Sequence, residues 1–191
     1  MLEAELNFLK SQIQPHFFFN TLNNLYSLTL KKSDQAPEVV LKLSDLMSYM
    51  LYETNTPKVS LNKEIVYLEN YIDLEKLRFG NNLTVSFNID GQTDGVYLPP
   101  LVLILFIENC FKHGARDKLN KMEIDIGIKV EDGHLFFNVK NPVAENSAAK
   151  NANGLGLKIA RRRLQLLYND DYSLDEIREG KQYAVSLKIP V

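Results

Sequence analysis

Residues 122–139, MEIDIGIKVEDGHLFFNV, decide the fold class. Met122, Ile124, Ile126, Ile128 and Val130 alternate with Glu123, Asp125, Gly127 and Lys129. A period of two puts the apolar set on one face of a strand and the polar set on the other. Asp132-Gly133 is a tight-turn pair, and Leu135, Phe137 and Val139 resume the alternation, so the stretch predicts an antiparallel hairpin with one buried face. Such a face needs a cover, and helical patterns stand on both sides of it.

Upstream, Ser60 can cap a helix that carries Leu61, Ile65, Leu68 and Ile72 on one face and stops at Gly80-Asn81-Asn82. Leu83, Val85, Phe87 and Ile89 then alternate as a strand. Pro99-Pro100 can open a second helix, apolar on nearly all sides from Leu101 to Ile107 and stopped by Gly114. Downstream, residues 142–153 are small and polar and predict a loop. A helix over Leu155–Tyr168 and two strands paired around Glu179-Gly180-Lys181 complete an α+β sandwich, a mixed sheet with helices on one face.

Residues 1 to about 56 carry helical periodicity only. Leu2, Leu6, Leu9, Ile13 and Phe17 form one stripe; Val39, Val40, Leu43, Leu46, Met47 and Met50 form another after the turn-like Ser33–Pro37. Two amphipathic helices bury their stripes most economically by pairing with a second copy, which predicts a homodimeric four-helix bundle. Thr54-Asn55-Thr56-Pro57 reads as a boundary, dividing the chain into 1–56 and 57–191.

Composition narrows the function. The 191 residues are 45% apolar and 24% charged, with a net charge of −2, which disfavours a general nucleic-acid binder. A single cysteine, Cys110, excludes a disulfide framework and a cysteine-clustered zinc site. The seven residues Leu101–Ile107 are too few for a membrane span. The N-terminus has no signal-peptide core and starts within a helical pattern, so the chain is expected to be the soluble part of something longer.

Three segments hold polar residues that the pattern does not demand. In Gln14-Pro15-His16-Phe17-Phe18-Phe19-Asn20, a proline precedes a histidine, Asn20 lies one turn on, and Asn23 lies a further turn along. A neutral imidazole is a nucleophile and could accept a phosphoryl group; the alternative is a surface histidine beside a helix-start proline. In Glu108-Asn109-Cys110-Phe111-Lys112-His113, an acid, an amide and a cation share a face at the end of the most apolar helix. That set suits a metal–phosphate site, against the alternative of a solvated helix end. Asn153-Gly154-Leu155-Gly156-Leu157 can bring backbone N–H groups to phosphates, or can be a plain loop-to-helix turn. Arg161-Arg162-Arg163 reads as a solvated face, with a phosphate-facing or partner-facing role for one arginine left open.

Taken in order, these segments resemble the LytS-like sensor histidine kinases. The phosphoacceptor segment of that family reads roughly Q-P-H-F-L-F-N-T-L-N, and Gln14–Asn23 differs from it at Phe18. The likeness continues through Tyr71-Ile72-Asp73-Leu74-Glu75-Lys76-Leu77-Arg78-Phe79 and Pro99-Pro100-Leu101. Glu108–Gly114 resembles the N box; Gly154–Leu157 with Arg163-Leu164 and Leu167-Tyr168 resembles the G2 box. The resemblance implies a dimeric hairpin carrying the histidine and a GHKL-type (Bergerat) ATP-binding domain. It implies that His16 attacks the γ-phosphate of ATP with Asn20 in support, that Glu108 orients or deprotonates the imidazole, and that Asn109 ligates Mg²⁺. Lys112 and His113 would contact phosphate or sugar, and Gly154, Gly156 and Leu157 would form the nucleotide lid. The phosphoryl group would pass to a response regulator receiver domain, on the cytoplasmic side of a membrane spanned by a sensor region outside this chain.

One departure stands out. The family's G1 box usually has an Asp-Asn-Gly-like turn, whose aspartate accepts from the adenine amino group; here the segment is Val139-Lys140-Asn141-Pro142-Val143. A neutral asparagine accepts more weakly than a carboxylate. A polar residue is also expected where Ile159 stands. A rival reading is therefore a non-catalytic dimeric scaffold with a degenerate nucleotide pocket.

Overall fold

A computed structural model describes residues 15–114, 121–143, 155–180 and 182–191. Asp132 and Gly133 have φ of 49° and 70°, the left-handed pair that a two-residue hairpin turn requires. They join β4 (Met122–Glu131) to β5 (His134–Pro142). With β2 (Leu83–Asp90), β6 (Ser173–Glu179) and β7 (Gln182–Pro190) these strands form a five-stranded sheet of order β2-β4-β5-β7-β6. β2 runs parallel to β4 and the other pairs are antiparallel, so the sheet is mixed. The alternation sorts as expected: Ile124, Ile126, Ile128, Phe137, Val139, Val185 and Leu187 are buried, while Glu123, Asp125, Lys129, Asn138 and Lys140 face outward. A short antiparallel pair, β1 (Val59–Ser60) with β3 (Tyr97–Leu98), lies apart from this sheet.

The helices are α1 (Pro15–Leu30), α2 (Ala36–Tyr52), α3 (Leu61–Phe79), α4 (Ile104–Gly114) and α5 (Leu155–Tyr168). Ser60 caps α3 by accepting from the Lys63 N–H at 3.4 Å, and Gly80, at φ 58°, ends it. α2 packs on α3, α4 packs on β5, and α5 packs on α4. One apolar core runs from Phe17 to Ile189. The stripe expected on α2 splits: Val39, Leu43 and Leu46 are buried, but Val40 and Met47 are about half exposed (49% and 48%). Of the first stripe only Phe17 falls within the described residues, and it is buried. The loop expected over 142–153 starts after β5 has taken in Pro142, and 144–154 lie outside the described residues.

Two expectations are corrected, and one device explains both. The helix expected from Leu101 begins at Ile104 instead. Leu101 has φ 59°, a left-handed conformation that costs a non-glycine residue about 1–2 kcal/mol and cannot continue a helix. Arg163, expected on a solvated face, is 1% exposed. Its guanidinium donates to the carbonyls of Leu101, at 2.9 Å, and of Pro100. From the other side Glu64, wholly buried, accepts from the Leu101 N–H at 3.0 Å and from the Tyr49 hydroxyl. The Pro100-Leu101 turn is thus clamped between the Glu64 carboxyl and the Arg163 guanidinium, and its polar groups are used before a helix can claim them.

Burial pushes the Glu64 carboxyl up; the Tyr49, Leu101 and Leu103 donors and the Arg163 charge pull it back. Burial lowers Arg163 to about 10, which leaves it charged at neutral pH. Removing the guanidinium strands the buried Leu101 and Pro100 carbonyls, so Arg163→Met should lose about 1–3 kcal/mol per stranded carbonyl in urea unfolding. Arg161, on the exposed side of the same helix and paired with Glu176 at 2.6 Å, should lose less than about 1 kcal/mol on substitution by alanine.

Candidate functional site

α4 presents the polar cluster. Its apolar side, Leu105, Phe106, Cys110 and Phe111, is buried, which leaves Glu108 and Asn109 half-buried at the rim and Lys112 exposed. One carboxyl oxygen of Glu108, Oε1, is shielded from solvent, and its charge is felt by Tyr71 on α3. The side chain of His113, Gly154, and Gln14 before the α1 proline lie outside the described residues.

Gly156, in the first turn of α5, stands directly against Asn109. A Cβ on Gly156 would lie 2.2 Å from Asn109 Oδ1 and 3.0 Å from Nδ2, so only glycine allows this approach. The two motifs of the sequence are therefore one locus. The Leu157 side chain points into the core, leaving only its backbone for a ligand. Ile159, where a polar residue was expected, is half-buried.

Asn141 ends β5 and is 3% exposed. Its Nδ2 donates to the Pro142 carbonyl at 3.0 Å, and its Oδ1 is a buried acceptor with no partner among the described residues. A buried acceptor without a donor costs free energy that a ligand N–H would recover. No group of three or more His, Cys, Asp or Glu side chains among the described residues could cage a metal. A single amide oxygen beside a glycine-bearing helix start instead fits a Mg²⁺ that arrives with phosphate oxygens and water as its other ligands.

His16, in the first turn of α1, is exposed, and its Nδ1 is 3.0 Å from Asn20 Nδ2. The same amide nitrogen, one helical turn away, lies 3.4 Å from Nε2, so it stands against the edge of the ring. Asn23 is exposed. The next residue, Phe17, is buried against Tyr71, with ring centroids 4.4 Å apart, and Tyr71 meets Phe111 edge-on at 5.8 Å.

A sequence family described as histidine kinase matches residues 4–83. The sensor histidine kinase BtsS of Escherichia coli (strain K12) is 29% identical over the whole chain, and the sensor protein LytS of Staphylococcus saprophyticus is 30% identical over 98% of it. Over nearly its whole length the chain is thus similar to LytS-type and BtsS sensor histidine kinases. It spans 34% of the length of each of these two relatives. The histidine kinase domain of an Erythrobacter litoralis blue-light-activated kinase has the same fold, with a TM-score of 0.54 and 18% identity, covering 99% of this chain and 94% of that one. The fold is thus that of a histidine kinase core, GHKL-like in its sheet and helices.

Within this core the apolar pattern hides buried carboxyls. Glu64 and Glu75 fall on the apolar face of α3, three residues after Leu61 and Ile72. A carboxylate on such a stripe is the signal that could have found them. Glu75 pairs with Arg78 at 2.7 Å and is otherwise enclosed. Burial pushes its carboxyl up to about 7, with Arg78 and the Tyr71 hydroxyl pulling it back.

That shift has a sign in stability. The unfolded chain loses this proton near the ordinary value of 4.5, while the folded protein keeps it up to about 7. The contribution is complete below the lower value and is lost as pH rises through the upper one. The melting temperature of the wild type should therefore fall, relative to Glu75→Gln, between about pH 4.5 and about pH 7.

Proposed function

We propose that this chain is the ATP-dependent catalytic core of a protein-histidine kinase, which phosphorylates His16 and passes the phosphoryl group to an aspartate of a response regulator receiver domain. The observation that carries the reading is the contact of Asn109 with Gly156. It puts an amide oxygen of suitable chemistry at the start of a helix, where backbone N–H groups and the dipole favour phosphate. We retain the division into an acceptor hairpin, 1–56, and an ATP-binding unit, 57–191.

When bound, Mg²⁺ would neutralise charge developing on the phosphate oxygens, with Asn109 as its protein ligand. Asn141 Oδ1 accepts from the adenine amino group, in place of the family's aspartate. Lys112 meets phosphate or sugar, and the Gly156 and Leu157 backbone lies over the nucleotide. Asn20 orients the His16 ring. A ring nitrogen bonds to the γ-phosphorus as the bond from that phosphorus to the β–γ bridging oxygen breaks. ADP leaves with the electron pair, and Glu108 takes the proton from the other ring nitrogen as general base. Most of the acceleration comes from positioning and charge neutralisation.

Dimerisation through the hairpin is supported by the faces that the chain leaves open. Phe19, Leu22, Tyr26 and Leu30 on α1, with Val40, Met47 and Leu51 on α2, are exposed apolar residues at helical spacing. No helix among the described residues is long and apolar enough to cross a membrane. We place this core on the cytoplasmic side of one, attached to the sensor region of a longer protein.

Asn141-Pro142-Val143 favours a second reading, a scaffold whose pocket no longer holds nucleotide. Calorimetric titration of Mg·ATP separates the two. Binding is expected for the wild type and its loss for Asn109→Ala; Asn141→Leu, which removes the acceptor at similar volume, should weaken binding by up to about tenfold. A folded wild type that takes up no Mg·ATP would leave the scaffold as the function.

A further inference from the structure

Tyr71, Glu75, Arg78 and Phe79 have no part in the reaction described above, yet with Phe111 their side chains form one connected cluster. Tyr71 holds the ring of Phe17 at 4.4 Å on one side and the edge of Phe111 at 5.8 Å on the other. Its hydroxyl donates to the Glu75 carboxyl, which is paired with Arg78. Arg78 lies 4.3 Å over the ring of Phe79, and Phe79 stacks on Phe111 at 6.2 Å. The cluster is closed upon itself and wedged between α1 and α4 of the same chain. Its two contacts lead toward the groups that must meet: Phe17 is the helical neighbour of His16, and Phe111 lies one turn after Glu108, whose charge reaches Tyr71.

The seat also leaves the apolar face of α1 free. Phe17 and Thr21, one turn apart, are buried inward, while Phe19, Leu22, Tyr26 and Leu30 are exposed on another side of the helix. A second copy can cover the outer face without displacing Phe17 from Tyr71.

Building on the kinase reading, we propose that Tyr71 is a positioning residue that seats the chain's own His16 beside its own α4, so that phosphoryl transfer occurs within one protomer. The bond made is from a His16 ring nitrogen to the γ-phosphorus of the ATP held by that same chain; the bond broken is from that phosphorus to the leaving ADP oxygen, which departs with the electron pair. The other ring nitrogen yields its proton to the same chain's Glu108.

Heterodimers of a His16→Gln chain and an Asn109→Ala chain, isolated through two different tags, test this directly with radiolabelled ATP. Neither chain should be labelled, because the intact acceptor and the intact nucleotide site lie on different protomers. Label on His16 of the Asn109→Ala chain would overturn the proposal. Wild-type homodimers run alongside must be labelled; an unlabelled wild type would overturn the kinase reading itself. For the positioning role, Tyr71→Leu should lower kcat about tenfold or more while KM for ATP changes less than about twofold, and Tyr71→Phe, which keeps the ring contacts, should retain most of the rate. A folded Tyr71→Leu protein with unchanged kcat would exclude that role.

Discussion

Glu64 is wholly buried, and the structure around it is arranged to make that tolerable. A carboxyl in the core must be paired and hydrogen-bonded or it would unfold the region that holds it. Tyr49 reaches it from α2, the Leu101 N–H from the turn before α4, and the field of Arg163 from α5. Arg163 in turn holds the carbonyls of the same turn. One carboxyl thereby sets the register of three helices from distant parts of the sequence. Buried polar groups of this kind are weak evidence for net stability, but they penalise every arrangement that leaves them without their partners.

The consequence for the site is geometric. The Pro100-Leu101 turn determines where α4 starts, and therefore where Glu108 and Asn109 stand. Arg163 lies two turns along α5 from Gly156, so the clamp that positions α4 also positions the helix whose first turn meets Asn109. The close approach of Gly156 lets the Asn109 amide stay where it is: a methyl group would force that amide to move. Preorganisation of this kind is what phosphoryl transfer asks of a protein, since the reaction needs placement of charges more than covalent chemistry.

Much of this was legible in the residues. Alternation placed the hairpin at Asp132-Gly133, and apolar spacing with Ser60 and Gly80 placed α3, because local periodicity and capping act over a few residues. The polar clusters at His16, at Glu108–Lys112 and at Gly156 stood out because nothing in the apolar pattern required them. The start of α4 did not, because its cause is non-local: Leu101 takes a left-handed conformation for the sake of partners far away in sequence. Arg163 was hidden for the same reason, since its buried environment depends on Glu64 and not on its arginine neighbours. The division of the α2 stripe into buried Leu46 and exposed Met47 likewise depends on where α3 packs.

The account turns on a single covalent event, phosphorylation of a histidine in the first turn of α1. Mapping the phosphorylated residue by mass spectrometry under neutral conditions, after incubating the purified chain with Mg·ATP, tests it most directly. The account predicts an added phosphoryl group on His16, and none on His134, which opens β5. A folded, nucleotide-bound protein that carries no phosphoryl group on His16 would contradict it.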